Sequence, residues 1–150
     1  MAEFPQNLKP IFIDDRDLIR LGSIDDGGYV VPIETVKSSN VLISFGISDN
    51  WDFEKDFLRK SLAYVYAYDN SIDSNFWLSK FKKDLIKFLK LKIFKPKKIY
   101  KMFQYIDFII FFKMNKKNKF YLNKIGNSED CLSLNKIIKD NFNNEDKLFL

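Results

Sequence analysis

Hydrophobic positions along the chain change period several times, and each change marks an element. Val41-Leu42-Ile43-Ser44-Phe45 is an apolar run of strand length without period-two alternation, the pattern of a parallel strand covered on both faces. Gly46 ends it and Ile47-Ser48-Asp49-Asn50 makes the turn. From Trp51 to Leu62 the apolar positions fall at helical spacing, through Trp51, Phe57, Leu58 and Leu62. Ser48, Asp49 and Asn50 are the candidate caps, since each side chain accepts from the free amides of a first turn. Ala63 to Tyr68 is a second strand, closed by Asp69. Strand, turn, helix and strand within about 30 residues form a βαβ unit, for which a right-handed crossover is expected.

Upstream, Asp25-Asp26-Gly27-Gly28 is a turn cluster, and Tyr29-Val30-Val31 a short strand ended by Pro32. This is an entry segment with its own small ribbon. Downstream, Phe76, Trp77, Phe81, Leu85, Phe88 and Leu89 recur at helical spacing with lysines between them. Lys95-Pro96-Lys97 interrupts that helix, and a second periodic run follows through Ile99, Met102, Phe103, Ile106, Ile109 and Ile110. The pair predicts a Lys-rich helical hairpin. Lys119 to Leu122 reads as a third strand and Leu132 to Phe142 as a further helix, with Ser128 as its candidate cap. Lys147 to Leu150 looks like the start of a fourth strand. The predicted fold class is α/β, a partial Rossmann-type, doubly wound parallel sheet with a Lys-rich helical hairpin insertion. Its expected parts are an N-terminal segment with the Asp-Gly-Gly-Tyr turn (1–40), a βαβ cofactor-binding core (41–74), the basic insertion (75–118), and the third strand, helix and start of the fourth strand (119–150).

Composition narrows the chemistry. A chain of 150 residues suffices for one core, and with 46% hydrophobic and 30% charged residues it is globular. Histidine is absent, which removes Ser-His-Asp and Cys-His machinery and the commonest zinc and iron sites; no metal is expected. Cys131 is the single cysteine, so no internal disulfide forms; its rhythm with Leu134 and Ile138 predicts a buried thiol at a helix start. Neither a secretory leader nor a membrane-spanning run is evident, and a soluble, cytoplasmic protein is the expectation. The net charge of +5 is unevenly placed: acids outnumber bases up to Ser74, whereas from Asn75 to Lys124 the only acids are Asp84 and Asp107.

Gly46 at the end of one strand and Asp69 at the end of the next suit a nucleoside. Glycine lets the main chain approach a ligand, and a carboxylate accepts from ribose hydroxyls. A dinucleotide would need more glycines for its pyrophosphate, and Asp49 would repel a phosphate. S-adenosylmethionine has an adenosine, no phosphate and a cationic sulfonium.

Taken together, Asp26-Gly27-Gly28-Tyr29-Val30-Val31-Pro32, the stretch Leu42 to Glu54, and Val65-Tyr66-Ala67-Tyr68-Asp69 resemble FkbM-like methyltransferases dependent on S-adenosylmethionine. In that group a DGGYV-type loop precedes a strand ending in FGxxDNxxFE, and YAYD closes the second strand. The likeness covers about residues 20 to 73 and returns from Ser128 to Leu150. The family's next motif, an acidic KxDIEGxE-like strand end, would begin after Leu150, so a truncated copy without measurable transferase activity is expected. The resemblance implies methyl transfer, by in-line displacement at the sulfonium methyl, to oxygen of a small molecule or glycan. Gly46 would line the methionine side, Asp69 would hold the ribose, and Ser48, Asp49, Asn50 and Glu54 would lie on or just past the cofactor loop. The family's usual second glycine stands as Ser48 here. Asp26, Gly27, Gly28 and Tyr29 form either a substrate-side lid or a tight turn serving its own backbone. No residue is singled out as general base.

The basic insertion has three readings: a solvated Lys face over an apolar face packed on the domain, association with an anionic membrane, or contact with nucleic-acid phosphates. No nucleic-acid-binding motif accompanies the charge. A non-catalytic module that uses this hairpin to bind a membrane or another acidic partner is the alternative function.

Overall fold

The computed structural model describes residues 13–24, 27–90, 103–143 and 145–150. At its centre lies a four-stranded, all-parallel sheet in the order β5-β4-β3-β6, made of β3 (Val41–Phe45), β4 (Tyr64–Tyr68), β5 (Asn118–Tyr121) and β6 (Leu148–Phe149). The chain steps outward from β3 through β4 to β5. It then returns to lay β6 on the free flank of β3, where Val41 pairs with Leu148 and Leu42 with Phe149. Strand order therefore reverses between β3 and β6. A separate antiparallel ribbon joins β1 (Leu18–Leu21) to β2 (Tyr29–Pro32).

Both faces of the sheet are covered, which is why β3 carries an apolar run and not an alternating one. On one face Leu42, Val65 and Ala67 pack with Phe57 of helix α2 (Asp52–Lys60) and with Phe108 and Phe112. Phe57 is fully buried and its ring meets that of Phe149 at 5.0 Å. On the other face Val41, Ile43 and Tyr68 pack with Ile137 of a later helix, Leu134–Asn141. A helix of six residues, α1 (Ile33–Ser38), follows β2 directly and buries Val36. The ribbon is tied to the core by Asp56 of α2, which accepts a 3.0 Å bond from the amide of Gly22.

The Lys-rich segment supplies helix α3 (Ser74–Lys90) and helix α4 (Gln104–Phe108), the latter continuing as a π-type stretch over Ile109–Met114. The two lie against each other through Trp77, whose ring meets Tyr105 at 5.1 Å and Phe108 at 5.3 Å. The Lys95-Pro96-Lys97 turn of the expected hairpin lies outside the described residues, as does the first part of the second periodic run.

Two local expectations are corrected. Helix α5 (Leu134–Asn141) is capped by Ser133, which accepts from the Lys136 amide, and not by Ser128. Cys131 consequently precedes the helix; it is half-buried, with Sγ 3.0 Å from the Ser128 hydroxyl.

Candidate functional site

The loop leading from the carboxyl end of β3 into α2 bonds to the carboxyl end of β4, and its geometry depends on two residues with positive φ. Gly46 (φ +64°) donates from its amide to the Tyr68 carbonyl at 3.0 Å, and nothing lies within 4 Å of where its Cβ would stand. Backbone here is bare and open. Ser48 (φ +47°) occupies the left-handed region that favours glycine. Its amide donates at 2.8 Å to Oδ2 of Asp69. Ser48 thus keeps a glycine-like backbone, fixed by a carboxylate.

Asp69 is buried, 6% exposed, with no cation partner among the described residues. Besides Ser48, it accepts from the Ser71 amide (2.7 Å) and the Ser71 hydroxyl (2.6 Å) through Oδ1. Its own amide donates to the Tyr121 carbonyl of β5 at 3.1 Å. Three of the roughly four acceptor directions of the carboxylate are therefore taken. Asp69 meets the Gly46–Ser48 loop as expected by its place at the strand end, but it does so as a clamp beneath the loop.

Beside this loop, where strand order reverses, lies a cleft of about 540 Å³ between β3, β6 and the ribbon. That is the position and size at which open parallel sheets receive ligands. Gly46, Ser48, Asp49, Asn50, Glu54 and Tyr29 all border it, together with Gly27 and Phe45; Asp69 does not. Glu54 is 4% exposed and bonds to Ser44 of β3. Burial holds its carboxyl above the ordinary value of 4.5, opposed by the Ser44 bond and a bond to its own amide, with the Asp52 charge adding to the rise. Asp49 is ion-paired with Lys80 of α3, which lies outside the cleft, and its carbonyl accepts from the Gln104 side chain. Asn50 accepts from the Asp52 amide at 3.1 Å, so it caps α2 from two residues ahead, and it donates to Ser23 at 3.3 Å. No Lys or Arg lines the cleft among the described residues.

The glycine turn of the ribbon is dictated by its own main chain. A Cβ on Gly28 would stand 2.0 Å from the Ser23 carbonyl oxygen, and one on Gly22 2.2 Å from that of Gly27. Gly27 has φ +78° and would press on Asn50. Tyr29 is exposed over the cleft with its ring edge-on to Phe53 at 5.5 Å. Asp26 lies outside the described residues. The tight-turn account explains the glycines, while Gly27 and Tyr29 also form part of the cleft wall.

Sequence reading missed Ser44, Ser71 and Lys80. Ser44 had a signal, as the one polar residue inside an apolar strand; Ser71 and Lys80 act through tertiary contacts that spacing does not reveal. Among the described residues no group of three or more acidic or cysteine side chains is placed to hold a metal ion. No helix among them is long and apolar enough to cross a membrane. No family model, curated protein or solved structure matches the chain.

Proposed function

We propose that this chain is built to hold S-adenosylmethionine for methyl transfer to the oxygen of a small molecule or glycan, its sheet being one flank of a Rossmann-type fold. One observation carries the reading. A bare glycine backbone, locked by the Asp69–Ser48 bond, faces a cleft of ligand size at the reversal of strand order, and that cleft has acids but no cations in its wall. Phosphate-bearing cofactors are disfavoured there, and no cation stands in the wall to repel a sulfonium or an ammonium group. The resemblance in the loop and in the Tyr-Ala-Tyr-Asp strand end supports the same choice.

In this reading the chain's residues act by positioning. Gly46 leaves room for the donor's methionine side, and the loop from Gly46 to Asn50 sets its orientation. Apolar side chains such as Phe45 and Phe53 exclude water from the transferring methyl group. Asp69 contributes through the loop, whose shape its carboxylate fixes, and not by contact with the ribose, since it lies outside the cleft wall.

Equilibrium dialysis tests the proposal. The protein should bind S-adenosylmethionine, lose it on Asp69→Ala and on Gly46→Val, and fail to bind ATP. Folded protein that ignores S-adenosylmethionine, or that prefers ATP, overturns it.

A further inference from the structure

Helices α3 and α4 do not present their apolar faces to the domain in the simple way their periodicity suggests. The inward side of α3 is formed by Phe76 and Trp77, packed against the core, and by Lys80, paired with Asp49. Leu78 stands on the other side of that helix and Phe81 beside Trp77, one turn on, and with Ile86 each keeps just over half its surface in water. The second helix repeats the arrangement. Phe108 and Phe112 are buried, while Phe103, Ile106 and Ile110, at i, i+3 and i+7, are more than half exposed, and Met114 extends the row. Since Trp77 joins the two helices through Tyr105 and Phe108, the outward apolar rows belong to one packed unit.

Exposed large apolar side chains in this number are unusual on a surface without a partner. What they face is indicated by the charge around them. Between Asn75 and Lys124 the sequence has fifteen lysines against two acids. Asp107 is turned to Lys55 at 2.6 Å and so does not neutralise the insertion's own lysines. Lys82, Lys83 and Lys113 are exposed and have no carboxylate partner among the described residues. Nucleic acid would be served by the lysines alone and gives no reason for apolar rows in water. An acidic peptide meets the same objection in part, since it offers little apolar area. Apolar side chains flanked by lysines on a helix too short to span a bilayer match an anionic lipid surface, where the former enter the acyl boundary and the latter meet headgroups.

We infer that the outward face of α3 and α4 docks this protein in the plane of an anionic membrane. The inference stands independently of the methyl-donor reading, because none of the outward residues it uses lines the cleft.

Vesicle flotation of the full chain decides it, with phosphatidylcholine vesicles made with and without phosphatidylserine. Binding should require phosphatidylserine and weaken with salt. Lys82→Gln and Lys83→Gln should each weaken it roughly fivefold. Phe81→Asp with Ile110→Asp should abolish it while circular dichroism stays unchanged. If that double variant does not fold, Leu78→Ser with Ile106→Ser serves the same purpose with a smaller change. Equal binding to pure phosphatidylcholine, no binding to either vesicle, retention of RNA in place of vesicles, or a concentration-dependent dimer that hides this face would each overturn the inference.

Discussion

Removing the Asp69 side chain should unsettle the whole rim of the sheet. Asp69→Ala deletes the acceptor for the Ser48 amide at 2.8 Å and for the amide and hydroxyl of Ser71 at 2.7 and 2.6 Å. The Ser71 hydroxyl can turn elsewhere, but the two amides cannot. Both bonds are part-buried, and a donor left there without a partner costs up to about 1–3 kcal/mol, less where water reaches it. Some of this is recovered as Ser48 leaves its left-handed backbone, which costs a non-glycine residue about 1–2 kcal/mol. The net loss should be about 3 kcal/mol, a large part of the 5–15 kcal/mol typical of a domain. Asp69→Asn is the sharper probe. Both carboxylate oxygens face N–H donors, so the amide of Asn must point its own NH₂ at one of them. That variant should lose at least about 2 kcal/mol although its shape is unchanged. Urea unfolding, read as a shift in midpoint at constant slope, gives the magnitude, and hydrogen exchange at the Ser48 amide locates it. If Asp69→Asn is as stable as the parent and its Ser48 amide as protected, the clamp does not exist.

Ser48→Gly relieves the left-handed strain and should stabilise the protein by up to about 1 kcal/mol, less the entropy glycine adds to the unfolded chain; a clear fall in melting temperature would count against the loop geometry. Glu54 has its folded-state pKa raised, chiefly by burial, so the folded protein holds that proton more tightly than the unfolded chain. Stability should therefore decline as pH rises from the ordinary 4.5 through the raised value, and Glu54→Gln, neutral throughout, should remove that decline. The melting-temperature difference between variant and parent should be near zero in acid and grow in favour of the variant toward neutral pH. A difference that stays flat across this range would mean Glu54 is not in the low-dielectric setting described.

The parts of the fold that sequence made legible are those where one residue type has one physical use. A run such as Val41 to Phe45, apolar but for Ser44, has no alternating solvent face, so a parallel strand covered on both sides was readable. The same holds for the helix after Asn50 and the strand before Asp69. Helix α1 was not readable: Ile33, Thr35 and Val36 are β-branched and favour strand locally, and six residues make too short a window for periodicity. Burial of Val36 decides it. In α3 the period was right, but its apolar residues run round more than one side: Phe76 and Trp77 pack against the core while Leu78 and Phe81 stay half in water, and a periodic pattern cannot say which of them meets the core. At the site, Gly46 and Asp69 were found through their positions at strand ends. That Asp69 would serve Ser48 and Ser71 before any ligand depends on side-chain directions that only the folded loop sets.

The pairing of β6 with β3 has a consequence for biosynthesis. Asn40, just ahead of β3, bonds to Lys147, 107 positions further along the chain. At translation speeds of 5–20 residues per second, roughly 5 to 20 s pass between the emergence of these two strands from the ribosome. Throughout that interval one hydrogen-bonding edge of the first-made central strand waits for its neighbour, beside β-prone residues such as Val41, Leu42 and Ile43. Nascent chains on crowded polysomes are thus most prone to cross-pairing during this window, and slow decoding of the Lys-rich middle section would lengthen it.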